Sequence, residues 1–351
     1  MLNKLINIPI TTCMLLLLSI GILVIYSSSK TLAFQQLIFA GAGISLFIFI
    51  SQLSYIELKN IVKGSYIIIL ILLILVLFVG FETRGSIRWI PLGFINLQPS
   101  EFAKPVIILF LASFWEKAKG SWVSILKSML ILFPVVFLVF EQPDLGTTLT
   151  ISAVWFGIVF ASRVSLKKIV LVLILVSLLI PLFWFTLQDY QKSRITSFLE
   201  PRNDPLGVGY NLIQSTIAVG SGQFLGRGLG YGTQSRLQFL PEYRTDFIFA
   251  AIGEEFGFFG TTLIIGIYSF LIGYCLKIAS SADYLGSLLT CGVAVMLIFQ
   301  IIVNIGMNIG LLPITGITIP LISYGGSSLI STMISLGLVA SVAKVKRANK
   351  I

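Results

Sequence analysis

The sequence predicts an all-α, polytopic membrane protein of about ten transmembrane helices with one large extracytoplasmic loop. Two features of composition predict this class: 56% of the 351 residues are hydrophobic, and only 11% are charged. Soluble domains carry about 25% charged residues, so this chain has too few charges to cover a water-facing surface. The third feature is a series of apolar runs along the whole length, which indicates one membrane domain over residues 1–351.

Apolar stretches suited to crossing a bilayer recur from one end of the chain to the other. A span needs about 20 residues because the hydrocarbon core is about 30 Å thick. The first stretch follows Lys4 and lacks a small-x-small cleavage site, so we interpret it as a retained helix rather than a signal peptide. The predicted spans are residues 10–27, 33–53, 64–81, 101–115, 124–140, 146–162, 168–187, 247–275, 286–309 and 320–343.

The distribution of basic residues predicts the orientation. If the N-terminus is cytoplasmic, the short outer loops carry only Lys30, Arg84 and Arg88, which is the positive-inside pattern. Because the number of spans is even, both termini are predicted to be cytoplasmic. The net charge of +10 is then explained by basic residues that act as retention signals on the cytoplasmic side of a membrane protein. The basic residues lie in short clusters between the apolar runs rather than in one stripe or tail, which argues against nucleic-acid binding.

The positions of the acidic residues and cysteines limit the kinds of functional site that the chain can form. Of the 14 acidic residues, all but Glu57, Glu116 and Asp283 fall in outer loops or in spans leading from them, which predicts an outward-facing site. The chain has no histidine. Its three cysteines lie in or beside apolar runs without metal-ligand spacing. Zinc, haem and histidine-based catalysis are therefore disfavoured.

The segment 188–246 is the one large loop. It has about 60 residues, whereas loops above about 15 residues are uncommon unless they are functional or disordered. Aromatic and aliphatic residues alternate in it with glycine and proline, which is not the composition of a disordered linker. We therefore expect short helices lying against the outer face.

Polar residues cluster in the segment 84–104. Pro99 is typical of a helix start, and Ser100 and Glu101 are favourable near the positive helix N-terminus. Glu101 and Lys104 are three residues apart, so they share a helix face and can form an ion pair. Ionisable pairs within a membrane span usually have a function, although a helix cap with a purely structural ion pair remains open.

Two shorter motifs carry weaker signals. Glu141-Gln-Pro-Asp144-Leu-Gly146-Thr147 predicts a turn with two acids at the outer surface, although turn and cap chemistry explains it equally well. The glycine-rich run 220–232 resembles a phosphate loop but lacks the Lys-Ser/Thr ending and the G-x-G-x-x-G order. Nucleotide binding is disfavoured there, and we expect a flexible, backbone-exposed loop near a ligand.

The motif that follows the large loop places an acid at the edge of a span. In Pro241-Glu242-Tyr-Arg244-Thr245-Asp246-Phe, Thr245 is a predicted N-cap and Asp246 falls in the first helical turn, where a carboxylate stays ionised. At about 100° per residue, Glu254 lies within a quarter turn of the Asp246 face and Glu255 nearly opposite. Asp246 is thus suited to remove a proton from a sugar hydroxyl, although structural carboxylates remain an alternative.

Polar and helix-breaking residues also interrupt the apolar runs between Asn304 and Ser328. Irregular backbone at membrane depth occurs only against protein or a cavity. A site that includes Ser323 and close helix packing through small residues are both consistent with this segment.

Together these motifs resemble the SEDS family (shape, elongation, division and sporulation), in its RodA branch rather than its FtsW or SpoVE branches. The resemblance rests on Trp89-x3-Gly-x4-Gln98-Pro-Ser-Glu101-x2-Lys104, Gln142-Pro-Asp-Leu-Gly-Thr147, Asp204-Pro-Leu-Gly-x-Gly-Tyr-x3-Gln214-Ser, Leu240-Pro-Glu-x2-Thr-Asp-Phe247 and the block 304–328. These occur in family order over essentially the whole chain, and Leu206 favours the RodA branch.

The resemblance implies a glycosyltransferase that polymerises lipid II into peptidoglycan glycan strands during cell elongation. It implies that Asp246 is essential, that Glu101 and Lys104 form a functional pair, and that a class B penicillin-binding protein is the partner. The bacterial inner membrane is the implied location. Lipid II and polyprenyl pyrophosphate are the implied substrate and leaving group, and no metal ligands are predicted, although a divalent cation (Mg or Mn) could assist.

The site predicted from residues and resemblance together has one catalytic member, Asp246, as the base. Positive charge is needed near the pyrophosphate, and Arg88, Lys104, Arg227 and Arg244 are the candidates. Arg244 replaces the histidine that often precedes Thr-Asp in the family, so a relay through that position is absent and a phosphate contact takes its place. The predicted substrate-binding residues are Arg88, Trp89, Gln98, Ser100, Glu101, Lys104, Asp144, Gln214, Arg227, Glu242, Arg244, Thr245 and Ser323.

Two other functions remain open from the sequence. A flippase that transports lipid II would line its path with acids, whereas here the inner half is nearly free of them, which favours an enzyme. A non-catalytic scaffold for the penicillin-binding protein would leave the outer acids without a role.

Overall fold

The computed structural model describes residues 7–83, 86–91, 93, 96–201, 207, 209–237 and 239–348. The predicted motif at 204–206, with Leu206, lies outside these residues. Helices dominate the fold, as predicted. They are α1 (Ile8–Ser28), α2 (Lys30–Gln52), α3 (Tyr55–Val79), α4 (Pro99–Lys117), α5 (Trp122–Glu141), α6 (Leu145–Ala161), α7 (Leu166–Thr186), α8 (Asp189–Leu199), α9 (Tyr210–Ser221), α10 (Thr233–Arg236), α11 (Ile248–Ala279), α12 (Tyr284–Asn308) and α13 (Gly326–Ala348).

Every predicted span coincides with one of these helices, although some boundaries move. Helix α3 begins nine residues before the predicted start because Ser54 and Glu57 form a capping box, which extends the helix through a charged first turn. Among the described residues, seven helices are long and apolar enough to cross a membrane: α1, α2, α3, α5, α11, α12 and α13. Three predicted spans remain: α4 buries charged residues, α6 is a shorter apolar helix, and α7 is an apolar helix of 21 residues with two lysines in its first turn.

Contacts between helix ends define two faces of the bundle. On one face, here called the Asp246 face, the end of α1 meets the turn before α11, since Arg244 donates to Ser28. On the opposite face, Tyr55 donates to Asp283, and Lys344 donates to Gln52. Because α1 enters and α13 leaves on the opposite face, both ends of the described chain lie on one side of the bundle.

A small antiparallel sheet follows α3, where the sequence predicted a short outer loop without strands. Its strands are β1 (Phe81–Thr83), β2 (Ser86–Pro91) and β3 (Asn96–Leu97), in the order β1-β2-β3. Ile90 pairs with Leu97 and Pro91 with Asn96, so the sheet leads the chain directly into α4. The strands are too short for a clear alternating pattern, which explains why the sequence did not reveal them.

Helices α12 and α13 are the most deeply buried of the long helices, and α4 packs against both. The long loop forms α8, α9 and α10, as expected for short helices. Helix α9 packs on α11 and α12. Helix α7 lies at the periphery, with exposed apolar side chains such as Phe185, which is typical of a lipid-facing surface.

Candidate active site

The backbone at Asp246 is held by two buried asparagines of α12. The Asp246 carbonyl oxygen accepts hydrogen bonds from Asn304 Nδ2 at 3.0 Å and from Asn308 Nδ2 at 3.0 Å. Both asparagines are fully buried. Because buried amides are costly unless they are paired, these bonds fix the position of residue 246 at the end of α12.

The residues before Asp246 form a turn that Ser323 anchors from the other side. The Thr245 carbonyl accepts from Ser323 Oγ at 2.7 Å, and the Arg244 carbonyl accepts from the Tyr324 amide at 2.9 Å. Ser323 Oγ in turn accepts from the Ile319 amide at 3.0 Å. The predicted member Ser323 therefore positions the loop that carries Asp246 through main-chain contacts.

The predicted N-cap at Thr245 is wrong. Helix α11 begins at Ile248 after Phe247, and the Thr245 hydroxyl contacts Glu242, both its carbonyl oxygen and its Oε2. The Ala250 amide in the first turn instead donates to Asn308 Oδ1 at 3.0 Å. The cap comes from a distant helix, which local sequence could not reveal.

The Asp246 carboxylate is half-buried and lies beside Gly316. A methyl group placed on Gly316 would stand 3.7 Å from Asp246 Oδ2 and 3.7 Å from a guanidinium nitrogen of Arg194. Gly316 has a φ of +76°, a conformation that glycine adopts without strain. The predicted acid and a cation from α8 that the sequence did not single out therefore approach the same glycine.

Glu101 and Lys104 form the predicted ion pair inside the bundle. Lys104 Nζ lies 2.6 Å from Glu101 Oε2, and the two residues are only 1% and 6% exposed, respectively. The Glu101 carbonyl also accepts from Ser331 Oγ of α13 at 2.6 Å. The pair therefore lies in the protein interior, at a point where the Glu101 main chain joins α4 to α13.

Asp144 is the centre of a second buried cluster. It is the N-cap of α6, accepting from the Thr147 amide at 3.1 Å, as turn and cap chemistry suggested. Its other oxygen accepts from Gln98 Nε2 at 3.0 Å and from Ser100 Oγ at 3.2 Å. Arg88 NH1 lies 3.9 Å from Asp144 Oδ1, so the β-hairpin is tied to the same carboxylate.

One stretch of backbone separates the Asp144 cluster from Asp246. A side chain at Gly146 would collide with Ile317 and approach the Thr315 carbonyl, and Asn304 Nδ2 donates to the Ile317 carbonyl at 2.7 Å. The segment 315–317 therefore packs against the start of α6 on one side and against the Asp246 support on the other. The structure brings the predicted motifs together around this segment.

The other predicted substrate-binding residues have distinct surroundings. Glu242, at a φ of +55°, stands in the turn before Asp246, whereas Trp89 lies on β2 opposite Phe81. Gln214 is half-buried on α9, next to Ser215, which donates to the Asn308 carbonyl at 2.8 Å. The hairpin, the turn and α9 therefore all belong to the Asp246 face.

The four cations predicted to hold pyrophosphate all contact protein groups. Arg88 donates to the Gln142 and Pro143 carbonyls, and Lys104 pairs with Glu101. Arg227 donates to Thr233 Oγ1 at 2.8 Å. Arg244 donates to Ser28 Oγ at 2.9 Å and lies 4.7 Å from the Tyr243 ring.

This arrangement can deprotonate a hydroxyl group that approaches from the Asp246 face. A carboxylate fixed through its main chain beside a glycine suits general-base chemistry, because the base must meet its proton in a defined geometry. Within the described residues, no three His, Cys, Asp or Glu side chains group together as a metal site requires. The divalent cation predicted from the sequence stays a prediction.

Nearly the whole chain matches a known protein family. The family described as cell cycle protein, which comprises FtsW, RodA and SpoVE, matches residues 6–348. The chain belongs to this family.

The relatives in the FtsW/RodA/SpoVE family share much of the chain. Peptidoglycan glycosyltransferase MrdB of Escherichia coli (strain K12) is 41% identical over 281 residues, which cover 79% of this chain and 76% of MrdB. Stage V sporulation protein E of Bacillus subtilis (strain 168) is 38% identical and covers 95% of each chain. The family expected from the motifs is therefore confirmed.

Solved FtsW/RodA/SpoVE-type structures agree with this fold. A chain from a peptidoglycan synthase complex that coordinates polymerization and crosslinking has a TM-score of 0.84 at 31% identity, covering 97% of this chain and 98% of that one. Rod shape-determining protein RodA of Thermus thermophilus has a TM-score of 0.73 at 29% identity, covering 97% and 96%.

Sequence reasoning missed how this family member uses its glycine-rich run. Helix α11 is broken at Gly257, which has φ 63° and ψ −159°. Residues 223–228 of the run occupy the break: the Arg227 and Gly228 amides donate to the Glu254 and Glu255 carbonyls at 2.9 and 3.0 Å. The Phe258 and Phe259 amides donate back into the run at 2.8 and 3.1 Å. The loop expected to be flexible is thus hydrogen-bonded along its backbone.

The glutamates beside this break also differ from the helical-wheel expectation. Asp246 precedes α11, so it does not share a helical face with either glutamate. Glu254 Oε1 accepts from the Gln234 amide at 2.8 Å, and Glu255 Oε1 accepts from Ser27 Oγ and the Gly230 amide, both at 3.2 Å. Both carboxylates hold the loop against α11, and a run of closely spaced glycines was the only sequence signal for this packing.

Proposed function

We propose that this protein is a peptidoglycan glycosyltransferase that polymerises lipid II into glycan strands. The observation that carries the proposal is the Asp246 carboxylate, half-buried beside Gly316 on a backbone that Asn304 and Asn308 hold in place. The name of the relative MrdB, a peptidoglycan glycosyltransferase, supports the same reaction class.

In the proposed reaction, one proton moves to the enzyme and one electron pair leaves with the diphosphate. The 4-hydroxyl oxygen of the acceptor sugar forms a bond to the anomeric carbon of the donor, and Asp246 accepts the hydroxyl proton. The bond between the anomeric carbon and the diphosphate oxygen breaks, and its electron pair leaves with the polyprenyl diphosphate. Attack from the side opposite the leaving group inverts the anomeric centre.

The membrane setting follows from the same proposal. Lipid II carries its sugars on a lipid anchor, so the Asp246 face is assigned to the extracytoplasmic side of a bacterial inner membrane. Both termini are then cytoplasmic, in agreement with the basic residues of the opposite face. A class B penicillin-binding protein is the proposed partner, supported by the resemblance to a synthase complex that couples polymerization to crosslinking.

The proposal is tested with the purified full-length chain in lipid vesicles supplied with lipid II. We expect glycan polymer from the wild type and at least a hundredfold slower polymerisation from Asp246→Asn, since general bases contribute about 10²- to 10⁴-fold. Asp189→Asn is the matched control, because Asp189 is an exposed acid in the first turn of α8 and should polymerise at the wild-type rate.

Three results would contradict the proposal. Normal polymerisation by Asp246→Asn would remove Asp246 from the role of base. Failure of the wild type to polymerise lipid II, with and without a class B penicillin-binding protein, would favour a scaffold. Movement of labelled lipid II across the vesicle membrane without polymer would favour a flippase.

A further inference from the structure

Helix α8 brings an arginine to the proposed base. The Arg194 guanidinium and the Asp246 carboxylate each come within 3.7 Å of the methyl position on Gly316, so they are separated by no more than twice that distance. Arg194 NH1 also donates to the Ile314 carbonyl at 3.3 Å. Helix α8 of the long loop is therefore joined to the segment 314–317, which lies between the Asp144 cluster and Asp246.

The surroundings of Arg194 differ from those of the cations predicted from sequence. Lys104 is 1% exposed and paired with Glu101, and Arg88 is tied to the turn before Asp144. Arg244 is bound to the end of α1. Among the described residues, Arg194 is a basic residue whose guanidinium approaches the same glycine as Asp246 Oδ2.

We propose that Arg194 binds the diphosphate of the polyprenyl-linked substrate beside Asp246 and retains it as the leaving group. This inference rests on the proposed function. It names a substrate-binding residue that neither the motifs nor the predicted site contained.

Guanidinium chemistry suits this role. An arginine side chain carries five N–H donors in a planar fork, so it can hold the Ile314 carbonyl and phosphate oxygens together. Charge-assisted hydrogen bonds of this kind are about twice as strong as neutral ones. As the anomeric bond breaks, negative charge grows on the bridging oxygen, and a cation fixed nearby stabilises that charge more than the ground state.

Gly316 completes the geometry. Its φ of +76° and its lack of a side chain leave the space between Arg194 and Asp246 unobstructed by residue 316. A diphosphate at Arg194 would then bring the anomeric carbon, one oxygen away, towards the hydroxyl that Asp246 activates. Gly316 therefore leaves room for the diphosphate-binding cation and the proposed base to act on the same substrate.

The test uses the full-length protein in lipid vesicles, with Arg194→Gln, Arg194→Lys and Lys192→Gln. Lys192 is the matched control, since residues two apart on a helix point in nearly opposite directions and the same charge is lost from α8. We measure kcat and KM with lipid II, inhibition of polymerisation by added polyprenyl diphosphate, and direct binding of polyprenyl diphosphate to the protein.

We expect Arg194→Gln to lower kcat/KM about a hundredfold and to weaken binding of polyprenyl diphosphate at least tenfold, as loss of a charge-assisted hydrogen bond predicts. Arg194→Lys keeps the charge without the fork, so it should recover part of both losses, which a packing role would not explain. Lys192→Gln should stay within about twofold of wild type.

The outcomes separate this inference from the proposed function. If Arg194→Gln binds polyprenyl diphosphate as tightly as wild type, Arg194 is not a diphosphate ligand. If only KM for lipid II changes while binding of the free diphosphate does not, the residue recognises another part of the substrate, and the inference is also wrong. If the wild type fails to polymerise lipid II, the proposed function fails, whereas the direct binding measurement still decides the role of Arg194.

Discussion

The two acidic regions on either side of segment 315–317 are supported through different atoms. Around Asp144, Gln98, Ser100 and the Thr147 amide all bond directly to the carboxylate oxygens. Around Asp246, by contrast, the buried asparagines bond to the main-chain carbonyl, and the carboxylate is half-buried beside a glycine.

This difference shows how one residue type can serve either to hold the fold or, as proposed for Asp246, to take part in a reaction. A carboxylate saturated by protein donors stabilises the structure around it and has little capacity left to accept a proton. At Asp246, hydrogen bonds to the main-chain carbonyl hold the residue in a defined place, which the proposed general base requires. Burial of charge in the Glu101–Lys104 pair belongs to the first kind of construction.

The largest effect on stability is expected where the buried pair is broken. Lys104→Met leaves the Glu101 carboxylate buried without its partner, which costs about 3–5 kcal/mol. Thermal unfolding of the protein in detergent measures this loss. The double variant Glu101→Leu/Lys104→Met removes both charges and should recover most of the stability, because apolar replacement of a whole pair is often neutral. A single variant as stable as wild type would contradict the contrast between the two regions.

A smaller loss of stability, combined with a loss of activity, is expected at the Asp246 support. Asn304→Leu removes the donor to the Asp246 and Ile317 carbonyls, which costs about 1–3 kcal/mol. Since a shift of about 1 Å can slow a reaction about a hundredfold, lipid II polymerisation should fall by 10- to 100-fold.

The control for Asn304 lies one turn earlier on α12. Gln300 is buried, and its Oε1 has no hydrogen-bond partner among the described residues. Gln300→Leu should therefore keep polymerisation at the wild-type rate in the same assay. Equal losses of activity in both variants would show that any polar-to-apolar change in α12 inactivates the protein, and the support of Asp246 would not be special.

The smallest effect is expected at Arg244. Arg244→Lys loses part of the guanidinium contacts to Ser28 and Tyr243, which is worth about 0.5–1.5 kcal/mol. Polymerisation should change less than twofold if the residue only joins the end of α1 to the turn before α11. A tenfold rise in KM for lipid II would instead support the phosphate contact predicted from the sequence.

Much of the fold was accessible to sequence reasoning because lipid imposes simple rules. Long apolar runs and sparse charges predicted the spans, and the spacing of Glu101 and Lys104 predicted their ion pair. The turn at Asp144 was also anticipated as a helix cap. These features depend on residues close in sequence, where helical periodicity relates spacing to contact.

Features that depend on distant pairing were not accessible. Asn308 caps a helix that begins 60 residues earlier in the chain, at Ile248, and Arg194 of α8 approaches the same glycine as Asp246. The short strands of the β-sheet show no clear alternation of apolar and polar residues from which they could be predicted. Such contacts are set by how helices pack, so no local pattern encodes them.

The break in α11 has a consequence for how the chain matures in the membrane. Four backbone groups around Gly257 are satisfied by the glycine-rich run rather than by the helix itself, and unsatisfied backbone in hydrocarbon is costly. The run precedes α11 in the chain, so it is synthesised first and has to wait for its acceptors. The turns of α11 next to Gly257 therefore complete their backbone hydrogen bonds only when the run docks, so formation of this part of α11 is coupled to that of the preceding loop.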